Sequence, residues 1–496
     1  MSNLRKIGLG SLILTASRAI VNALGFISTI LLARLLMPED FGLVAIAVTL
    51  QAIVSAITDV PVSQALIQLD DPSQQHVDTA FTIGLLRSLA VAVIFAAASW
   101  PVVAVFEEPR LANIMLALSA SLLLSGVVNP RRALLQKSLI FKQEFAIEVL
   151  GKLGAVVLSI AVAFIWHSYW ALVVGAVSGQ LVTVIASYVF VRYRPRLDLS
   201  EFRSLWSFSG WMTLSNALNT INWRSDQLFI GKLLSPTDVG VYTVGDNLAQ
   251  LPTREATLPL TSALFPAFSN LTSNAPRLAH AYTRAQGLVT AVALPVGIGF
   301  ALVAERLVPL AMGEKWIPSI IVIQFLSSVF ALQTIGSLAQ PLALALGHTK
   351  TLFRRDIQLF FIRLPIIVGG LLLGGLVGVL VARVISGLIA IGFNVSIVKS
   401  MIGQSIVKQL TNSWRNILSV ALMAVGVEVT SMLMPVSTEW FTQLLQVAAL
   451  IAVGGLIYLG GGLLIWLAAG KPEGPEAIAL DWANKGQRAV RTRLAR

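Results

Sequence analysis

Apolar stretches of about 20 residues recur from one end of the chain to the other, and the segments between them are short and hold most of the charge. A helix needs roughly 20 such residues to cross a bilayer core of about 30 Å. On this pattern fourteen spans are expected, near residues 10–36, 41–69, 79–105, 111–130, 146–165, 169–191, 205–234, 240–263, 284–304, 318–346, 356–376, 378–400, 416–434 and 442–468. The stretches lack the alternation of a membrane β-barrel, so the expected fold is all-α and integral to a membrane. The division at 376/378 is placed among Gly369, Gly370, Gly374, Gly375 and Gly378 near the middle of one long apolar run. The first run is too long for the apolar core of a signal peptide and ends in no small-residue cleavage site. It is expected to stay as span 1.

Composition agrees. Hydrophobic residues make up 56% of the 496 and charged residues 12%, about half the ~25% of a soluble protein; mean hydropathy is +0.80. Too few charges exist to cover a water-facing surface, which excludes a soluble enzyme, a nucleic-acid-binding protein and a disordered chain. The formal charge of +12 fits basic loops on one side of a membrane. With the N-terminus inside, and with Arg284 and Lys399 at span edges counted with the adjoining loops, 24 of the 36 basic residues fall on the cytoplasmic side and 3 on the other. That bias predicts two cytoplasmic termini. No cysteine is present, so disulfide and thiolate chemistry are excluded.

The chain repeats itself. Leu35, Leu36, Pro38, Asp40 and Gly42 recur as Leu233, Leu234, Pro236, Asp238 and Gly240, at a constant offset of 198, and Pro61, Ala65 and Leu66 recur as Pro259, Ala263 and Leu264 at the same offset. Pro ends one helix, Asp can cap the next, and Gly permits a tight start. The copies lie an even number of spans apart, so they have one orientation and define two six-helix lobes related by an internal parallel repeat. The expected organisation is an N-lobe (1–204, spans 1–6), a C-lobe (205–415, spans 7–12), two extra C-terminal spans (416–470) and a basic cytoplasmic tail (471–496). Two such lobes are expected to enclose a cavity at mid-membrane.

Ionisable groups inside spans cost about 3 kcal/mol each unless they meet water or a partner. Span 1 carries Ser11, Thr15, Arg18, Asn22 and Thr29 on one helical face. Span 7 carries Ser215, Asn219, Asn222 and Asp226, with Arg224 close by. Span 8 carries Tyr242, Asp246, Gln250, Thr253 and Thr257, with Arg254 and Glu255 adjoining, and span 2 carries Asp59. These stripes suggest the wall of a wet cavity. Arg87, Lys152 and Arg363 lie close enough to the cytoplasmic end to snorkel. Arginine suits phosphate because its planar fork donates paired hydrogen bonds. Arg18, Asn22, Arg87, Arg224 and Arg254 are therefore candidate ligands for a diphosphate, and Asp59, Asp226 and Asp246 are candidate coupling or ion-pair residues. No phosphate-binding loop of the G-x-x-x-x-G-K-[ST] kind and no H-E-x-x-H occurs, and no cofactor or metal is expected. Gly175/Gly179 and Gly370/Gly374/Gly378 are spaced for close helix contact.

The stretches from Leu32 to Leu43 (LARLLMPEDFGL) and from Trp223 to Gly231 (WRSDQLFIG) resemble the polysaccharide transporters. These are the Wzx-type flippases, or lipopolysaccharide biosynthesis proteins, of the multidrug/oligosaccharidyl-lipid/polysaccharide superfamily. The resemblance covers nearly the whole chain. It implies a non-enzymatic flippase that moves undecaprenyl-diphosphate-linked oligosaccharide repeat units to the periplasmic leaflet without ATP. Alternating access, H+ or Na+ coupling, and polymerase and export machinery as partners are further implications, for exopolysaccharide or lipopolysaccharide synthesis. Ser17-Arg18 resembles a Ser-Arg pair of the lipid II flippase branch, which implies a place for Arg18 in the cationic cavity. The prenyl tail is expected to stay in lipid at a lateral gate beside spans 1 and 8. Two rivals are a drug/cation antiporter of the same superfamily, which would need an acidic cavity, and a membrane polymerase or glycosyltransferase using the same carrier, which would need an acid/base pair on a large outer loop. Membrane lipids are expected contacts; nucleic acid is not.

Overall fold

The computed structural model describes residues 20–137, 141–206, 210–435, 437, 439–472 and 474–477. All regular structure among them is helical, and the chain divides into two compact units, Met1–Val244 and Gly245–Arg496. The first holds α1 (Ile20–Leu35), α2 (Pro38–Ile57), α3 (Val62–Gln68), α4 (Gln74–Ala97), α5 (Ser99–Phe106), α6 (Arg110–Gly126), α7 (Arg132–Lys137), α8 (Phe141–Trp166), α9 (Trp170–Phe190), α10 (Phe202–Trp206), α11 (Gly210–Leu233) and the start of α12 (Pro236–Ser269). The second holds the rest of α12, then α13 (Ala275–Met312), α14 (Ser319–Gln333), α15 (Ala339–Ala345), α16 (Thr349–Ile402), α17 (Ile406–Thr411), α18 (Trp414–Leu433) and α19 (Trp440–Ala468).

A helix lies in every one of the fourteen expected intervals. Among the described residues, nine helices or joined helix pairs are long and apolar enough to cross a membrane by themselves. The outward surface fits lipid: Trp100, Leu373 and Leu433 are 81%, 92% and 81% exposed. Two long helices, α11 and α12, miss that apolar standard. They are the two that carry Arg224, Asp226, Asp246, Arg254 and Glu255.

The run from 356 to 400 does break inside its glycine cluster. Gly374 (φ −143°, ψ 19°) and Gly375 (φ 56°, ψ −137°) leave helical geometry, and Gly375 takes a backbone conformation that a side chain would strain. The halves of α16 fold back so closely that a Cβ on Gly370 or on Gly378 would strike the other's carbonyl. Gly175 and Gly179 likewise let α9 lie directly on α8, against Ser159 and Ala155.

The interval 41–69, by contrast, is not one helix. The chain leaves α2 after Ile57 and restarts as α3 at Val62, because Pro61 has no N–H to continue the ladder. Carbonyls at this broken end are taken by a side chain: Arg87 of α4 donates from Nε to Thr58 O at 2.7 Å and from Nη2 to Ser55 O at 2.8 Å. In the second copy of the repeat, the corresponding Pro259 lies inside α12, together with Pro252 and Pro266.

The two repeat motifs meet. A Cβ on Gly42 would overlap the carbonyl of Pro236 and come within 2.9 Å of Gly240 N, and a Cβ on Gly240 would overlap the carbonyl of Pro38 and come within 3.0 Å of Gly42 N. The same atoms face each other in both directions. Each acidic residue sits at the third helical position rather than at the cap: Asp40 accepts from Met37 N at 2.9 Å, and Asp238 accepts from Ser235 Oγ at 2.6 Å.

In the second unit, α13, α14, α18 and α19 share a core of Leu294, Val303, Ala331, Met423, Val427 and Leu450. Arg306, at one end of α13, holds the α18–α19 pair. It donates to Gln446 Oε1 at 2.6 Å, Ser431 O at 2.7 Å and Ser431 Oγ at 3.3 Å. Replacing Arg306 by alanine is expected to remove about 1–3 kcal/mol of stability, seen as a lower unfolding temperature in detergent. Lysine should restore only part, since one ammonium cannot span these three acceptors.

Candidate transport site

In the first unit, α2 and α11 pack along their length and enclose polar groups. Asp226 is 2% exposed and its Oδ2 accepts from the Tyr242 hydroxyl at 2.9 Å; Tyr242 is equally buried. One residue on, Gln227 Oε1 accepts from the hydroxyl of buried Thr49. Arg224 stands two residues before Asp226, about 200° around the helix, and is exposed. It has no hydrogen bond or ion pair among the described residues. The stripe of α11 is thus two-sided: the carboxylate turns inward to a tyrosine and the guanidinium turns out.

In the second unit, Asp246 of α12 pairs with Arg383 of α16 at 3.5 Å. The Arg383 guanidinium also lies 5.6 Å from the Phe330 ring centroid, and its side chain is 6% exposed against 24% for Asp246. Breaking such a buried pair on one side costs about 3–5 kcal/mol. Asp246→Asn is therefore expected to lower the unfolding temperature, and adding Arg383→Met should recover part of the loss. Unchanged unfolding in Asp246→Asn would rule out a structural role for the pair. Arg254 bonds its own neighbour, Glu255, at 3.1 Å, and both are partly exposed.

Arg87 meets Asp59 at 3.3 Å besides the two carbonyls of α2, so all three of its nitrogens are engaged. Lys152 extends across α1 beside Gly25, and Arg363 is 9% exposed inside the second unit. Asn22 is half-buried on α1. Arg18, with Ser11, Thr15 and Ser17, lies outside the described residues, and so does the tail after residue 477. Among the described residues, no cluster of three His, Asp or Glu side chains could hold a metal.

Asp246 is among the ion-pair residues expected from the sequence, but its partner is not, and neither member of a second pair is. Arg383 was visible as a basic residue deep in a span, but its partner is 137 positions away. Arg132 and Glu144 form a forked pair, 2.6 Å and 3.1 Å, with Glu144 only 4% exposed. They sit on α7 and at the start of α8, between the expected spans 111–130 and 146–165. An apolar groove of about 360 Å3 runs along α13 and the α18–α19 pair, from Pro252 of α12 to Tyr458 and Leu459.

Comparisons with known proteins agree with this fold. The chain is 24% identical over 403 residues to "Lipopolysaccharide biosynthesis protein WzxC" of Escherichia coli K12, covering 80% of this chain and 81% of that one. It is 24% identical over 295 residues to "Succinoglycan biosynthesis transport protein ExoT" of Rhizobium meliloti, 59% and 60% of the two chains. Among solved structures, the lipid II flippase MurJ in an inward closed conformation superposes with a TM-score of 0.73 at 14% identity, over 93% of this chain and 99% of that one. An inward-facing MATE-family transporter of the MOP superfamily gives 0.58 at 15%, over 78% and 96%. Residues 31–321 match the family model described as polysaccharide biosynthesis protein. With more than half its length in that match and the fold of the multidrug/oligosaccharidyl-lipid/polysaccharide flippases, this all-helical, multi-pass membrane chain belongs to the polysaccharide biosynthesis protein family.

Proposed function

We propose that this protein is a flippase that carries undecaprenyl-diphosphate-linked oligosaccharide repeat units from the cytoplasmic to the periplasmic leaflet of a bacterial inner membrane, by alternating access through a cationic central cavity. Both termini are cytoplasmic in this reading. The observation that carries it is Arg224: a guanidinium exposed on a membrane helix, with no partner among the described residues. Left in lipid it would cost about 3 kcal/mol. Water and an anionic ligand remove that cost, and a diphosphate presents oxygens suited to its fork. Arg18 and Arg254 are the further candidates for the diphosphate. The groove from Pro252 to Leu459 is nearly all apolar and has the chemistry to seat an isoprenoid chain. The relatives' printed roles in lipopolysaccharide biosynthesis and succinoglycan transport support a sugar cargo.

Coupling to H+ or Na+ is assigned to Asp59, Asp226 and Asp246. Asp226 is the foremost, since it is buried and its carboxylate accepts from the Tyr242 hydroxyl. The direct test is reconstitution. Proteoliposomes carrying the chain should move a defined undecaprenyl-diphosphate oligosaccharide across the bilayer, read by a leaflet-sidedness assay. Loss of the gene in a producing strain should stop polymer export. Drug resistance conferred on a sensitive host, with no movement of the lipid-linked sugar, would favour a cation antiporter instead.

A further inference from the structure

The break between α2 and α3 opens onto a half-enclosed cavity of about 430 Å3 within the first unit, inside the range of about 300–1,000 Å3 usual for small-molecule sites. Its lining is half polar. Asp59, Arg87, Arg132 and Glu144 all reach it, and Ser63 and Gln64 stand exposed at its mouth. Three observations constrain the occupant. First, residues 58–61 are non-helical inside an apolar interval, and bare backbone at membrane depth is tolerated where it lines a wet cavity or is buried in protein. Second, the four charges cancel in pairs, Arg87 with Asp59 at 3.3 Å and Arg132 with Glu144 at 2.6 Å. A phosphate entering here would have to compete with two carboxylates already in place. Third, the polar groups are planar forks and amides: two guanidinium groups, two carboxylates, and the Gln64 amide. Arg132 uses Nε and Nη2 on Glu144, leaving Nη1 as a donor beside its acceptor partner.

Neighbouring donors and acceptors with no net charge match the vicinal hydroxyls of a sugar, each of which both donates and accepts. We propose that this cavity is a sugar-binding site, which receives one or two uncharged rings of the lipid-linked glycan on the side from which it is loaded. The proposal rests on the flippase reading above, gives a role to Arg132, Glu144 and Gln64, and turns Arg87 and Asp59 from the diphosphate and coupling roles expected from the sequence to the glycan. It makes the Asp59–Arg87 and Arg132–Glu144 pairs a recognition surface, held rigid by Arg87's bonds to the end of α2.

The test uses the full chain in polysaccharide-producing cells. With p-benzoylphenylalanine in place of Gln64, illumination should give an adduct that carries glycan mass. The adduct should vanish when the transferase that puts the first sugar phosphate on the prenyl carrier is deleted. A second variant, Ser63→Trp, fills the mouth from an exposed position and should lower export about tenfold at unchanged protein level, equivalent to about 1.4 kcal/mol. An adduct with phospholipid alone, or none, in cells that still export would overturn the sugar site, as would normal export by Ser63→Trp. A glycan adduct that survives deletion of that transferase would identify a free nucleotide sugar and overturn the lipid-linked source. If deleting the gene leaves export intact, the flippase reading itself fails, a separate and separable outcome.

Discussion

Arg224→Ala should cut polymer export by ten- to a hundredfold while the protein reaches the membrane in normal amount. The magnitude follows from losing a charge-assisted, forked contact to a diphosphate, worth about 1.5–3 kcal/mol. The unchanged protein level follows from the structure: Arg224 is exposed and has no partner among the described residues, so truncation leaves no orphaned group behind. Arg224→Lys should be intermediate, since an ammonium keeps the charge and loses the planar fork. The neighbouring Asp226→Asn should behave differently. It alters a buried group bonded to Tyr242, so stability as well as transport should respond. Pulse-labelled polymer in the medium, normalised to membrane-fraction protein, reads both. Normal export by Arg224→Ala would remove the cationic site from the mechanism.

The second large effect belongs to the repeat motifs. Gly42→Ala or Gly240→Ala places a methyl where a backbone carbonyl of the other motif already stands. A side chain could swing aside; the peptide groups of Pro236 and Pro38, each opening a helix, cannot do so without moving that helix. Overpacking of this sort costs about 1–3 kcal/mol where side chains yield and more where they do not, so about 3 kcal/mol or more is expected. The two substitutions wedge apart one contact, so the double variant should be little worse than either single one, a clear departure from additivity. Fluorescence-detected size-exclusion after graded heating would measure this. Gly369→Ala and Gly455→Ala, where a Cβ would meet nothing within 4 Å, are the controls. Fully additive losses would mean that the two glycines do not share a contact.

Much of the fold was legible because hydropathy reports directly on membrane helices. The glycine division of α16, the helix intervals and the family all emerged from residue patterns. The charged groups were harder. Spacing put Arg224 near Asp226, yet two residues is more than half a helical turn, and the pair faces opposite ways. Arg87 reads as a phosphate ligand or a snorkelling cation. Its actual bonds run to carbonyls freed by the break before Pro61, a feature that appears only once the helix is seen to stop there. Asp246 finds Arg383 and Arg132 finds Glu144 through tertiary contact, for which one sequence carries no signal.

The turn at Gly374–Gly375 spends two residues where most helical hairpins spend several. Such a corner offers neither slack for a protease to grip nor room for an epitope tag. Labelling and cleavage at this end of the molecule will have to find other footholds, and an insertion there should unseat both arms of α16 together.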